Sequence, residues 1–245
     1  MISFLSAFPI RMERYSHFFR LKKIEIRSCP SVRVERKFLS SIDKRAWRFW
    51  PVLIGEGGDS VYDMISNVEP LHVRRKLKWG KVELDIKPLE IAFIFKYKGD
   101  DWYLSRDGTA WPANHPINEE FYGIPSLGFS VTVDDSVSLS LSIDIPVNRL
   151  DSDVLKLIEF VERAPSIRWP GKIEAVRLYR QGGADLASLY VRKDDGGFFS
   201  VIVDRERDLS GVAVAVSDLL DSGAIGKSGA VIDTSYEDKI IARDS

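Results

Sequence analysis

Residues Val73 to Trp111 read VRRKLKWGKVELDIKPLEIAFIFKYKGDDWYLSRDGTAW. Beyond Trp79-Gly80, Val82, Leu84 and Ile86 alternate with charged residues, the pattern of a strand with one buried face. Proline cannot donate to a ladder, so Lys87-Pro88 is expected to break this one before a fresh strand, Ile91 to Tyr97. Lys98-Gly99-Asp100 then turns the chain into Asp101 to Ser105, and Asp107-Gly108 turns it again into Thr109 to Trp111. Glycine supplies the positive φ that such turns need. The stretch therefore reads as a joint between two domains, with a β meander starting just after it.

The chain has 245 residues, enough for one large or two small domains that each bury a core. Its 44% apolar and 29% charged content is that of a globular protein and argues against wholesale disorder. Charge is spread unevenly: residues 1–50 carry twelve Lys or Arg against four Asp or Glu, so a net +8 stands against −9 in the remainder. A basic front end suits an anionic partner such as lipid headgroups, nucleic acid or a protein, or else it is a solvated helix face. The single Cys29 excludes an internal disulfide and a Cys-based zinc site, and reads as a buried spacer between a strand and a helix. There is no run of about 18 or more apolar residues. Met1 to Ile10 is apolar but short: a frayed start, a signal-like fragment, or the outer end of a transmembrane helix.

Taken in order, Phe19 to Arg27 alternates as a first strand. Val34, Phe38, Ile42, Ala46 and Phe49 keep helical spacing, Leu39 and Trp50 widen that stripe, and Pro51 ends it. Ile54 to Gly58 is a Gly-rich connector, after which Val61, Met64, Ile65 and Val68 mark a second helix. Past the meander, Asn118 to Gly123 reads as loop. Val137, Leu139, Leu141, Ile143 and Ile145 alternate with Ser138, Ser140, Ser142 and Asp144, the cleanest strand pattern in the chain. Asp151 opens a helix carrying Val154, Leu157, Ile158 and Val161, ended by Pro165. Strands are expected at Ile173–Arg180, Ala187–Arg192 and Phe198–Asp204, then a helix from Leu209 to Leu220 with Gly223 as its C-terminal cap. Gly229–Thr234 and Lys239–Arg243 form a last strand pair around Tyr236.

Hidden chemistry is hard to find in this sequence. His17, His72 and His115 lack metal-like spacing, and the serines of 138–142 have no His or Lys close in sequence. Gly226-Lys227-Ser228 lacks the upstream Gly and the strand-then-helix order of a phosphate loop. Trp47, Trp50 and Trp79 sit on apolar stripes or at a strand end, where core packing explains them better than nucleic-acid stacking does.

Val73, Trp79, Leu84, Ile86, Pro88, Ala92, Gly99, Tyr103, Asp107, Gly108 and Trp111 follow a pattern that resembles the domain junction of the FtsQ/DivIB family of bacterial cell-division proteins. Gly80 stands where that pattern has Pro, and Lys87 replaces its acidic-basic pair. Ile124-Pro125-Ser126-Leu127 is similar to a further family segment, and Ile232, Asp233 and Tyr236 to its terminal one, with Ser235 in place of Arg. The resemblance covers about nine tenths of the chain. It implies an α+β fold: an N-terminal POTRA domain (β-α-α-β-β) at 19–87, then a mainly antiparallel β domain with flanking helices at 88–245. Residues 1–18 would be a juxtamembrane remnant or linker.

By the same resemblance the chain is no enzyme and uses no cofactor or metal. It would be a divisome scaffold, single-pass in the cell membrane at full length, with this chain on the extracytoplasmic side. Its partners would be FtsB/DivIC-like and FtsL-like proteins and, through them, the septal wall synthases; an anionic membrane surface is a further partner and nucleic acid is not expected. Docking would proceed by β-augmentation on Tyr236, Lys239, Ile240, Ile241, Ala242 and Arg243, with Ile240 and Ile241 pointing to opposite faces. Arg74, Arg75, Lys76 and Lys78 would guard an edge strand or form a second surface. The alternatives are a POTRA-type polypeptide-binding or chaperone module of an envelope transport system, and a nucleic-acid-binding domain using the basic N-terminal region.

Overall fold

In a computed structural model, residues 23–29, 31–41, 69–78, 81–121, 128–223, 229–237 and 239–243 are described. The alternation in the quoted stretch becomes a hairpin of β2 (Leu71–Lys78) and β3 (Lys81–Pro88), in antiparallel register from Leu71 opposite Pro88 to Lys78 opposite Lys81. Val82, Leu84 and Ile86 are fully buried, each such side chain stabilising the fold by about 1.5–3 kcal/mol. On the other side of β3 lies β1 (Lys23–Ser28), in parallel, so the strand order is β1-β3-β2. A parallel neighbour requires a crossover. That crossover includes α1 (Val32–Ser41), which starts where the Ser31 hydroxyl oxygen accepts from the Arg33 and Val34 N–H groups at 3.1 and 3.4 Å.

Three expectations here need correction. Pro88 does not break the ladder. It closes it as the last residue of β3, a place where a missing N–H matters least, and the chain departs at Leu89, whose N–H donates to the Pro70 carbonyl at 3.1 Å. Leu39 is exposed instead of widening the buried stripe, while Val34 is buried. Cys29 is half-buried, its thiol donating to the Ser31 carbonyl at 3.3 Å, and desolvation pushes its pKa up. Residues 19–22, 42–68, 79–80, 124–127 and 224–228 carry the rest of the first strand, most of both helical stripes and the Gly-rich segments, and lie outside the described residues.

The chain divides into two compact units after Leu89. The first also takes in Pro116–Phe121, which contains the short helix α2 (Ile117–Phe121) where a loop was expected; the second begins at Glu90. It holds one ten-stranded sheet. β4 (Ile91–Tyr97) and β5 (Asp100–Ser105) meet at a two-residue turn, Lys98 (φ 51°) and Gly99 (φ 91°), the type I′ geometry that suits the twist of hairpin strands. β6 (Thr109–Pro112) follows the Asp107-Gly108 turn, where the Asp107 carboxylate accepts from the Thr109 N–H at 3.1 Å. Then come β7 (Ser130–Val133), β8 (Asn148–Arg149), β9 (Lys172–Gln181), β10 (Ala184–Arg192), β11 (Phe198–Asp204), β12 (Ala230–Asp233) and β13 (Ile241–Arg243). The order is β13-β12-β11-β10-β9-β7-β4-β5-β6-β8. Pairing is antiparallel except at β4-β7, β7-β9 and β11-β12. With its few helices, the described chain is α+β.

Helices α3 (Ser152–Arg163) and α4 (Leu209–Asp221) share one buried cluster with this sheet. Val154, Leu157 and Ile158 of α3, and Val212 and Val216 of α4, join Phe93, Phe95, Leu178 and Leu189. Asp208 caps α4, its carboxylate accepting from the N–H groups of Ser210 and Gly211 at 3.1 Å each. Asp151 is the N-cap of α3 but makes no side-chain cap bond, and α3 passes into a 3₁₀ turn, Ala164–Ser166, at Pro165.

Residues 137–145 are not a strand, despite their alternation. Val137 is buried and Leu139 and Leu141 pack on the core, but Ile143 and Ile145 are exposed. Side chains replace the ladder. The buried Tyr97 hydroxyl donates to the Val137 carbonyl at 3.2 Å and accepts from the Leu139 N–H at 3.3 Å. The Asn148 amide accepts from the Ser142 N–H at 3.0 Å and donates to the Ser142 and Ile145 carbonyls at 3.2 and 3.0 Å. Backbone groups must be paired by something, and here two polar side chains share the task with local backbone bonds from Val137, Leu141 and Ile145 N–H to the Asp134, Leu139 and Ser142 carbonyls.

Candidate partner-binding edges and faces

β13 is an outer strand of the ten-stranded sheet. It pairs with β12 through Val231–Arg243, Ile232–Ala242 and Asp233–Ile241, and among the described residues no strand covers its other side. An uncovered side presents N–H and C=O groups to an extended segment. The approach to it is fixed by side chains: Thr234 donates its N–H and its hydroxyl to the Ile202 carbonyl, both at 2.8 Å, and Arg207 donates to the Thr234 carbonyl at 2.5 Å. Ser235 donates to the Asp233 carboxylate through its N–H at 3.0 Å and its hydroxyl at 2.6 Å. Next in the chain is Tyr236, 45% exposed, with the Lys239 ammonium 4.8 Å from its ring centroid.

Lys239 and Ile240 precede the strand instead of opening it, so β13 is shorter than its sequence suggests. Ile240 is exposed and Ile241 half-buried. Register sets Ala242 opposite the fully buried Ile232, and the half-buried Ile241 opposite Asp233. Alanine covers little of the layer beneath it, and Ala242 and Arg243 are both exposed.

In the first unit, Arg74, Lys76 and Lys78 alternate onto one face of β2, while Arg75 is out of phase with them, opposite Leu84. Their face holds a carboxylate that is buried, Glu83, only 2% exposed. It accepts from Lys78 at 2.7 Å and from Arg27 at 3.0 Å, and lies 3.0 Å from the Lys81 ammonium. The hydrogen bonds from Lys78 and then Lys81 draw its pKa down to about 2, so it is ionised at any physiological pH. The sequence hid this group, since a glutamate between lysines at a hairpin reads as solvated.

A groove of about 440 Å³ also opens in the second unit, between α3, residues 137–140 and the ends of β9 and β10. Leu139, Leu157 and Phe160 line its apolar part. At its polar end Asp185 bridges Arg180 at 2.8 Å and Arg205 at 2.6 Å, and the hydrogen bond from Arg180 leads in lowering its pKa. Its other cations, Lys156 and Arg163, are matched by Asp151, Glu159 and Glu206, so no net field favours a charged ligand. Among the described residues no three His, Cys, Asp or Glu stand close enough to hold a metal ion, and no helix is long and apolar enough to cross a membrane. No protein-family model matches the chain, and no curated protein matches it.

Proposed function

We propose that this chain is a divisome scaffold of FtsQ/DivIB type, its first unit a POTRA domain and its second the family's β domain. It binds FtsB/DivIC-like and FtsL-like partners outside the cytoplasmic membrane and links them to septal peptidoglycan synthesis. The observation that carries the reading is β13: an outer strand of the large sheet, covered on its outer side by no strand among the described residues and flanked by an exposed tyrosine. A partner segment that adds there gains main-chain hydrogen bonds from β13 and aromatic contact from Tyr236. The order β1-α1-β2-β3 supports the POTRA part of the reading, as do the residues of the Val73–Trp111 junction.

The test is binding of this chain to the extracytoplasmic part of its own FtsB-like protein, beside Tyr236→Ala and a truncation before Lys239. Binding lost in the truncation and weakened at least ten-fold in Tyr236→Ala, with circular dichroism unchanged, is the expected result. Binding that survives both variants moves the docking edge elsewhere. No binding by the wild-type chain removes the division assignment itself.

A further inference from the structure

Among the described residues, the three-stranded sheet of the first unit carries no apolar side chain on one of its faces. β2 places His72, Arg74, Lys76 and Lys78 on it, β3 places Lys81, Glu83, Asp85 and Lys87, and β1 places Lys23, Glu25 and Arg27. Cross-strand ion pairs fix this shared orientation: Arg27 with Glu83, Lys78 with Glu83, and Lys81 with both Glu25 and Glu83. Seven cations stand against three carboxylates, a net +4 with His72 neutral.

Signs are also layered by depth. Three carboxylates and one cation sit low, with Glu83 2%, Lys81 28%, Glu25 33% and Asp85 35% exposed, while Arg27, Lys78, Lys87 and Lys23 rise above them at 46–65%. Short acidic side chains at the base hold long cationic ones upright, so the outermost layer is positive although ion pairs lie beneath it. Strands about 4.8 Å apart, rising about 3.3 Å per residue, make a raft roughly 10 Å by 23 Å.

We infer that this face is a docking surface for an anionic lipid bilayer, on which the raft lies flat against the headgroup phosphates. A protein partner would need apolar or aromatic anchors at the centre of its contact, and among the described residues β1, β2 and β3 place none on this face. Single-stranded nucleic acid would need stacking platforms, and none stands on the face among the described residues. Fixed rows of cations and dominance by lysine suit a plane of phosphate charges. The inference does not rest on the division reading: it requires only the face and its charge.

Sedimentation of the full chain with vesicles tests it, comparing 70:30 phosphatidylcholine–phosphatidylglycerol with pure phosphatidylcholine at about 0.1 M salt, where the Debye length is about 10 Å. Wild type should bind only the anionic vesicles and release as salt rises. Each cation at an anionic surface contributes about five-fold in partition. Arg74→Glu with Lys76→Glu should therefore weaken binding by at least about 25-fold, while Arg74→Lys with Lys76→Arg keeps it and thermal unfolding of both pairs stays that of wild type. Any basic residues outside the face are common to all variants, so the difference reports the face. Equal binding by the charge-reversed pair, or equal binding of both vesicle types, overturns the inference. So does a duplex oligonucleotide or polyglutamate that displaces the vesicles at equal charge concentration, since the face would then prefer nucleic acid or acidic protein.

Discussion

Tyr97→Phe tests whether side chains stand in for a strand at residues 137–141. The ring stays, so the core beside Val133 keeps its volume and only the hydroxyl leaves. Two hydrogen bonds go with it, to the Val137 carbonyl and from the Leu139 N–H. Each contributes about 1 kcal/mol net, and the half-buried Leu139 N–H left without that acceptor adds a desolvation penalty of about 1–3 kcal/mol. Loss of part of that penalty to water puts the total at roughly 2–4 kcal/mol. At about 2–4 °C per kcal/mol for a protein of this size, the unfolding midpoint should fall by roughly 4–16 °C. Hydrogen exchange should also show the Leu139 amide losing protection before its neighbours in β4 and β9. A midpoint within about 1 °C of wild type, with that amide still protected, would refute the account.

Three further outcomes follow from described geometry. Gly171→Ala should destabilise by about 1–3 kcal/mol in denaturant unfolding, because its Cβ would press into the Arg192 carbonyl group and come 3.0 Å from Val191 Cγ1. Asp208→Ala removes the cap of α4 and should lower stability by about 1 kcal/mol, with most of that recovered in Asp208→Ser. Glu83 and Asp134 both have pKa values drawn down to about 2, the latter first by the Arg177 hydrogen bond. A depressed carboxylate stabilises the fold above its unfolded pKa near 4 and ceases to do so as pH falls through the folded value. Thermal midpoints should thus hold steady down to about pH 5 and drop between roughly pH 4 and 2, and Glu83→Gln should flatten part of that drop.

Local features of this fold were legible in the sequence and distant ones were not. The turns at Lys98-Gly99, Asp107-Gly108 and Gly182-Gly183 declare themselves because a positive φ is a property of one or two residues. Strand order is not local: nothing near Ser130–Val133 says that it lies between β4 and β9. The alternation at 137–145 was misread for a related reason. Alternation records which side chains meet the core, not what pairs the backbone, and the groups that pair it here sit on Tyr97 and Asn148. At the C-terminal edge the strand pair was readable, but the register that sets Ala242 opposite Ile232 was not. Glu83 escaped notice because a glutamate flanked by lysines at a hairpin reads as solvated, and its third partner, Arg27, is far away in the chain.

β7 laces together two sets of strands that otherwise do not pair: β4, β5, β6 and β8 on one side, β9 to β13 on the other. Each set contains hairpins closed by short turns, which form within microseconds. β7 must instead join Lys96 to Thr132 and Ser130 to Ala175, closing loops of roughly 35–45 residues, and such non-local parallel pairing comes late. Until those four residues slot in, a newly made chain exposes the flanks of β4 and β9 as raw edges, open to other unfinished copies. Crowding during refolding, more than the stability of the finished sheet, then sets how much native protein is recovered.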